Sequence, residues 1–331
     1  MEKKITIQDI ANLAGVAKST VSRYLNNGYV SKEKATLIDK VIRETGYKAN
    51  FFAKRLKTKE SKLIGIVMPR LDSFSAGKLL TGFNLILERA GYQALILISE
   101  LNTNKELANI SQLIQQGVDG IIVDSINITP KHLKLLKQSN IPIIFTGQSH
   151  DQVIYIKVDD YTAGKIMGEY IASLHHQQTV FLGVTPKDKA VGEDRYEGFK
   201  QGFLTKNPQG TVVFVETDFN FDTAYNKGDN VMTHHPTAVI CATDNIALGF
   251  LRYLHEHNLA VPQKISVAGF GGYPVGNISY PSLTSLAFDY KHLGAKTAKK
   301  LLAMLQGQPV NSEFDNNITL ITRESTQIRT K

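Results

Sequence analysis

The chain has 331 residues, 42% hydrophobic and 21% charged, a globular composition long enough for two or three folded units. Its formal net charge is +8, and residues 1–60 hold 13 Lys/Arg against 6 Asp/Glu, which leaves residues 61–331 nearly neutral at 25 against 24. So local an excess points to a polyanion such as a nucleic-acid backbone as the partner of the head, with a solubility arm as the plain alternative. The single cysteine, Cys241, excludes an internal disulfide and a thiolate metal site, and no run approaches the roughly 18 apolar residues of a membrane span. The opening MEKKITIQDI lacks a secretory apolar run, so a soluble, cytoplasmic protein is expected.

Residues 1–48 read as short helices. Ile7, Ile10, Ala11 and Ala14 recur at helical spacing, as do Ile38, Val41 and Ile42. Thr6 followed by Asp9 has the pattern of a capping box, and Ser31 with Glu33 marks another helix start. Between them the tight turn Gly15-Val16 leads into a second helix from Ala17 to Leu25, with Val21 and Leu25 inward and Lys18, Ser19, Ser22 and Arg23 outward. That is a helix-turn-helix. Lys18 and Ser19 can reach base edges in a major groove, whereas Thr20, Ser22 and Arg23 can hold phosphate or, for Arg23, a guanine. The alternative, an ordinary helical hairpin with a polar outside, leaves the charge excess of the same segment without a reason.

Residues 49–61 follow as a hinge or linker. Within them, residues 50–59 can form a short helix with Phe52, Ala53 and Leu56 on one side and Lys54, Arg55 and Lys57 around it. Isolated helices below about 12 residues are marginal in water, so this one needs a partner helix or DNA. Leu56 among cations suits wedging between base pairs in the minor groove, unless the segment is a solvated linker docked on the body.

From Leu63 onward, apolar runs such as Leu63–Met68, Ala94–Ile98, Gly120–Val123, Ile141–Phe145, Val180–Val184 and Ala238–Cys241 alternate with longer amphipathic segments. This β-α-β texture predicts doubly wound parallel sheets, with roughly ten strands shared between two of them. The expected fold class is therefore α/β with an all-α helix-turn-helix head. Residues 62–160 with 290–323 are expected to form a first lobe and residues 161–289 a second, and the carboxyl ends of strands should line the cleft between them.

Catalytic patterns are weak. Gly147-Gln148-Ser149-His150-Asp151 lacks the second glycine of a nucleophile elbow, and Gly77-Lys78 is followed by Leu79 rather than Ser or Thr. His234-His235 and His255-Glu256-His257 fall on different helix faces, which disfavours a metal site. Asp159-Asp160 point oppositely if on a strand and are expected to cap the next helix. No enzyme activity, cofactor or metal is expected.

The stretch TIQDIANLAGVAKSTVSRYLNN, the third helix closing at ETGYKAN, the AKRL hinge, RYEGF, CATDNIALG and YPSLTSLAFDYKHLGAKTA together resemble the LacI family of bacterial repressors along the whole chain. The resemblance implies a helix-turn-helix head on two periplasmic-binding-protein-like lobes of type I. It also implies a homodimer on a palindromic operator, with DNA contacts from Thr6, Lys18, Ser19, Thr20, Ser22, Arg23, Asn26, Asn50, Ala53, Lys54 and Leu56. Ala17 departs from the capping Ser common in the family, which weakens the helix start by about 1 kcal/mol.

For the cleft, the loop Arg70-Leu71-Asp72-Ser73-Phe74-Ser75 offers the cation, carboxylate and hydroxyls that a sugar or sugar phosphate needs, although Asp72 or Ser73 can equally cap the next helix. The resemblance adds Gln148, Arg195, Thr243 and Asp244; Phe219 or Phe221 can supply an aromatic plate for a sugar ring, with Tyr273 nearby. The RLDS loop with GVT and CATDNIALG is nearest to the trehalose-repressor branch, implying a disaccharide or its 6-phosphate. Gly271-Gly272-Tyr273 stands where many members carry an acidic pair, and Gln148 stands where that branch has Arg, which leaves Arg70 as the main phosphate candidate. An unphosphorylated, sucrose-type effector is the alternative.

The expected function is a sequence-specific repressor of a sugar-utilisation operon, in which effector closes the lobes, melts the hinge helices and weakens operator binding. Two other classes are a sugar-binding module without a regulatory role, opposed by the charged head, and a sugar isomerase.

Overall fold

A computed structural model describes residues 5–26, 28–47 and 60–329. The expectations for Asn50, Ala53, Lys54 and Leu56, and for the hinge helix as a whole, lie outside the described residues. The chain divides into two compact units, residues 1–61 and 62–331.

The first unit contains α1 (Ile7–Leu13), α2 (Lys18–Leu25) and α3 (Lys32–Thr45). At the start of α1 the Thr6 hydroxyl accepts from the Asp9 N–H and the Asp9 carboxylate accepts from the Thr6 N–H, so two otherwise orphaned donors are satisfied reciprocally. Gly15 turns the chain into α2 at φ +63°, a conformation that costs other residues about 1 kcal/mol. Ala17 gives α2 no side-chain cap, and Ser31, the N-cap of α3, makes no capping bond either. Ile10, Ala11, Ala14, Val21, Ile38 and Val41 form the core, and the Tyr24 hydroxyl donates to Asp39, tying α2 to α3.

The second unit begins with β1 (Leu63–Met68), α4 (Phe74–Arg89), β2 (Gln93–Ile98), α5 (Thr103–Gln115), β3 (Gly120–Asp124), α6 (Pro130–Gln138), β4 (Ile143–Thr146) and β5 (Ile154–Val158). It continues with α7 (Asp160–Ser173), β6 (Gln178–Gly183), α8 (Arg195–Lys206), β7 (Thr211–Glu216), α9 (Phe221–Asn226), α10 (Gly228–Met232), β8 (Ala238–Cys241) and α11 (Asp244–Glu256). The last elements are β9 (Ser266–Gly271), α12 (Val275–Ile278), β10 (Thr284–Phe288), α13 (Tyr290–Leu305), β11 (Glu313–Asp315) and β12 (Ile318–Ile321).

The strands form two six-stranded sheets, ordered β11-β5-β4-β3-β1-β2 and β12-β10-β9-β8-β6-β7. Pairing is parallel throughout except between β10 and β12. Each sheet thus gains a short edge strand beyond the roughly ten expected, because runs of three or four residues carry too little periodicity to be read. Residues 290–323 were expected with the first lobe. Helix α13 packs on α4 and strand β11 pairs with β5, but β12 joins the second sheet, where Ile318 and Leu320 come into register with Phe288 and Leu286.

The chain therefore passes between the lobes three times, after β5, β10 and β11. At the first two passages an aspartate with nearly the same backbone conformation, Asp159 (φ −80°, ψ 84°) and Asp289 (φ −86°, ψ 74°), caps the following helix. In the second lobe α7 and α8 meet at glycines: a Cβ on Gly198 would lie 2.0 Å from the Tyr161 carbonyl oxygen, and one on Gly164 would lie 2.1 Å from that of Arg195. No helix among the described residues is long and apolar enough to cross a membrane.

Candidate functional site

On the head, the buried Val21 turns α2 so that Lys18, Ser19 and Arg23 are exposed and Thr20 and Ser22 half-exposed. This follows from helical period alone, since Val21 is the inward residue of a two-turn helix. The other two candidates have structural work as well. The Thr6 hydroxyl belongs to the α1 capping box, and the Asn26 amide donates to the Ser22 carbonyl at 2.7 Å, closing the end of α2.

In the body, the carboxyl ends of β1, β3, β4 and β5 face those of β6, β7, β8 and β9 across one cleft. The first lobe contributes Arg70, Ser73, Ser75, Asp124, Thr146 and Gln148; the second contributes Asp188, Arg195, Phe219, Thr243, Asn245 and Tyr273. Several of these touch across the gap. The Arg70 guanidinium lies over the Phe219 ring, 5.0 Å from its centre, and Phe74 meets Tyr273 at 5.0 Å between ring centres. Gln148 donates a long 3.4 Å hydrogen bond to Asp188, and Lys157 on β5 reaches Asp194 at 3.1 Å. A π-helical turn at Lys189–Asp194, whose first N–H groups are capped by Asp188, brings Ala190 and Val191 to the same wall.

The Arg195 charge in the cleft is buried and paired. Arg195 gives its Nε and Nη2 hydrogens to Asp160 and an Nη1 hydrogen to the Ala242 carbonyl, with Phe270 and Phe288 rings near its guanidinium plane. Burial opposes the Arg195 charge most strongly, but the Asp160 carboxylate together with the Tyr290 and Tyr273 hydroxyls outweighs it, and the guanidinium pKa is raised. Burial pushes Asp124 up to about 7, although the Thr146 hydroxyl, donating at 2.8 Å, pulls it down, and the Glu106 carboxylate adds to the rise. Asp188 is pushed up to about 6 by burial, against the hydrogen bond from the Val191 N–H. The Tyr273 hydroxyl is raised by burial too, with a hydrogen bond to Ser75 working the other way.

Of the residues expected from sequence, Arg70, Ser73, Ser75, Gln148, Arg195, Phe219, Thr243 and Tyr273 line this cleft, and three do not. Asp72 is exposed and sits 2.7 Å from Arg70 Nε, an ion contact without the angle of a hydrogen bond. Phe221 is 40% exposed at the start of α9 and does not line the cleft. Asp244 is wholly buried behind the cleft, accepting from the Tyr273 N–H and the Ser285 hydroxyl, both at 2.6 Å. Ser73 both lines the cleft and caps α4, so the two readings of that residue coexist. Of the Asp159-Asp160 pair only Asp159 caps a helix, while Asp160 is the partner of Arg195.

Asp124, Thr146, Asp160, Asp188 and Asn245 were missed. Asp124 and Thr146 are the last residues of their strands, a position that the strand-end rule flags once strand ends are known. Among the described residues, no group of three or more His, Cys, Asp or Glu side chains is arranged to hold a metal ion.

A helix-turn-helix head joined to two doubly wound lobes around a polar cleft is the architecture of a ligand-controlled DNA-binding regulator. Residues 6–50 match the bacterial regulatory proteins of the lacI family, and residues 169–326 match the periplasmic binding protein-like domain. The sucrose operon repressor of Staphylococcus xylosus is 35% identical over 310 residues, covering 93% of this chain and 96% of that protein. The regulator TreR of Escherichia coli K12 is 27% identical over 310 residues, covering 93% and 96%. The lac repressor dimer bound to operator and the anti-inducer ONPF superposes with a TM-score of 0.90 at 25% identity, covering 98% of this chain and all of that one. The chain belongs to the lacI family and is a sugar-responsive, DNA-binding repressor, not an enzyme. The greater identity to the sucrose operon repressor than to TreR corrects the expectation that the trehalose branch is the nearest.

Proposed function

We propose that this repressor answers to an unphosphorylated disaccharide of the sucrose type and binds a palindromic operator as a homodimer. The observation that carries the effector reading is the charge balance of the cleft. Among the described residues that line it the cations are Arg70 and Arg195, against Asp124, Asp160 and Asp188. Arg195 has already committed donors to Asp160 and Ala242, so a phosphate dianion would meet Arg70 with Asp124 and Asp188 beside it. Neutral hydroxyls suit this lining better: carboxylates accept from them, Arg70, Thr146 and Gln148 can donate to them, and Phe219 offers an aromatic face. The name of the Staphylococcus xylosus relative points the same way.

An effector held between the walls changes the balance of lobe arrangements only as far as it binds one of them better. The Arg70–Phe219, Gln148–Asp188 and Lys157–Asp194 contacts are the bridges such a molecule would replace or reinforce. On the head, Lys18, Ser19 and Arg23 are proposed to read bases and phosphates in the major groove.

A thermal-shift series tests the effector reading, because binding to the folded state alone raises apparent stability by about 2.7 kcal/mol at a hundredfold excess over Kd. Sucrose is expected to raise the melting temperature, while sucrose 6-phosphate and trehalose 6-phosphate at equal concentration are expected to raise it less. A larger shift with either phosphate ester overturns the reading.

A further inference from the structure

Beneath the first-lobe wall of the cleft lies a buried polar cluster that the effector reading does not use. Glu106 of α5 and His132 of α6 are 2% and 1% exposed, and neither lines the cleft. Glu106 Oε1 accepts from the Ser125 hydroxyl at 2.8 Å and lies 2.8 Å from His132 Nε2. The other ring nitrogen, Nδ1, lies 3.1 Å from the Thr129 backbone nitrogen and 2.9 Å from its hydroxyl. A backbone N–H can only donate, so Nδ1 is an acceptor and the ring proton sits on Nε2, where it is given to Glu106. One carboxylate oxygen thereby grips both ends of the segment 124–129: Ser125 directly, and Thr129 through the histidine. Inside the segment the Asn127 N–H donates to Ser125 Oγ at 3.3 Å, and the Ser125 N–H donates to the Thr146 carbonyl at 3.2 Å. This segment is the part of the wall that carries Asp124, Ser125 and Ile126 to the cleft.

A buried carboxylate is costly unless donors meet it, and apolar residues in these two places would pack without that cost. What the cluster provides that apolar packing cannot is direction, since hydrogen bonds fix both the rotamers and the loop path. We propose that Glu106 and His132 are positioning residues for effector recognition, holding the segment 124–129 so that Asp124 and Ser125 present their polar groups to the sugar. The inference rests on the cleft being the effector site. The Glu106 charge also adds to burial in favouring the protonated form of Asp124, so the same residue influences which hydrogen-bonding role Asp124 plays.

The test uses the full-length chain with Glu106→Ala, Glu106→Gln and His132→Ala. Hydrogen exchange read by mass spectrometry reports the segment, and calorimetry with sucrose reports binding. Glu106→Ala is expected to speed exchange over residues 125–132 and weaken sucrose binding, each by about tenfold, as for the loss of one buried hydrogen bond. Glu106→Gln should restore both, because its amide oxygen still accepts from Ser125 and His132. If Glu106→Ala does not fold, His132→Ala, which leaves the Ser125 bond in place, is expected to speed exchange at residues 128–132. Exchange unchanged in the folded variants, faster exchange with unaltered sucrose affinity, or a Gln variant behaving like Ala each overturns the proposal. If sucrose fails to bind the unsubstituted chain, the unphosphorylated-effector reading falls, while the exchange comparison still decides the positioning.

Discussion

The head and the body carry charge in opposite ways. On the head Lys18 and Arg23 stand exposed on α2, and the ion pairs Lys40–Glu44 and Arg43–Asp39 are one helical turn apart on the surface at 3.9 and 3.8 Å. Such pairs contribute about 0.3–0.5 kcal/mol each, so these charges have little influence on stability and remain available to a polyanion. In the body, Lys157 and Arg195 have side chains only 2% and 5% exposed, and each is committed to carboxylates at the junction of the two lobes. Removing a charge there strands its partner in a medium that solvates it poorly. The same residue types thus govern attraction in one region and integrity in the other.

Replacing Arg195 puts this contrast to its hardest test. Arg195→Met leaves Asp160 buried with Lys157 at 3.7 Å as its remaining ion partner, and should destabilise the body by about 3–5 kcal/mol in denaturant unfolding. A loss below about 1 kcal/mol, the range of a surface pair, would erase the distinction. Arg23→Ala should do the reverse. Its effect on stability is expected to stay within about 0.5 kcal/mol, while binding to operator DNA weakens by about 1–3 kcal/mol if Arg23 reads a base. Fluorescence anisotropy across a salt series separates the roles, since loss of a phosphate contact flattens the log–log slope by about 1.

A smaller effect lies in the acids of the body. Asp124, Asp188 and Asp244 hold their protons up to about 7, about 6 and about 6, each chiefly through burial. Unfolded aspartate titrates near 3.9, so the stability these groups contribute is fully present below that pH and is lost as pH rises through about 6 to about 7. Asp124→Asn, which cannot ionise, should raise the melting temperature at pH 8 by about 2–4 °C, or about 1 kcal/mol, and leave it nearly unchanged at pH 5. An equal shift at both pH values would mean that the gain is one of packing rather than charge.

The head was legible in sequence because its pattern is local: with Val21 inward, helical period alone places Lys18, Ser19 and Arg23 outside. The doubly wound lobes were legible for a similar reason, since long apolar runs between amphipathic helices have few other arrangements. Much of the cleft was not. The Arg195–Asp160 pair spans 35 positions and Gln148–Asp188 spans 40, and no periodicity announces such pairings. Phe219 and Phe221 are indistinguishable as residue types, and only the start of α9 between them decides which one lines the cleft. Asp244 was expected in the cleft from the family resemblance, but its neighbour Thr243 takes that place while Asp244 turns inward to Ser285.

The three passages between the lobes also set the order in which the protein can be completed as it leaves the ribosome. Strands β1 to β5 emerge early, yet the helix that covers β3, β4 and β5 and the strand that closes their edge, α13 and β11, follow the second lobe almost entirely. The first lobe to be started is therefore completed only after nearly all of the second has been made, and its apolar sheet face must wait through the synthesis of residues 160–288. A nonsense codon shortly before residue 313 would remove an edge strand from both sheets at once. In this fold the last few dozen residues serve as the closure of the whole body.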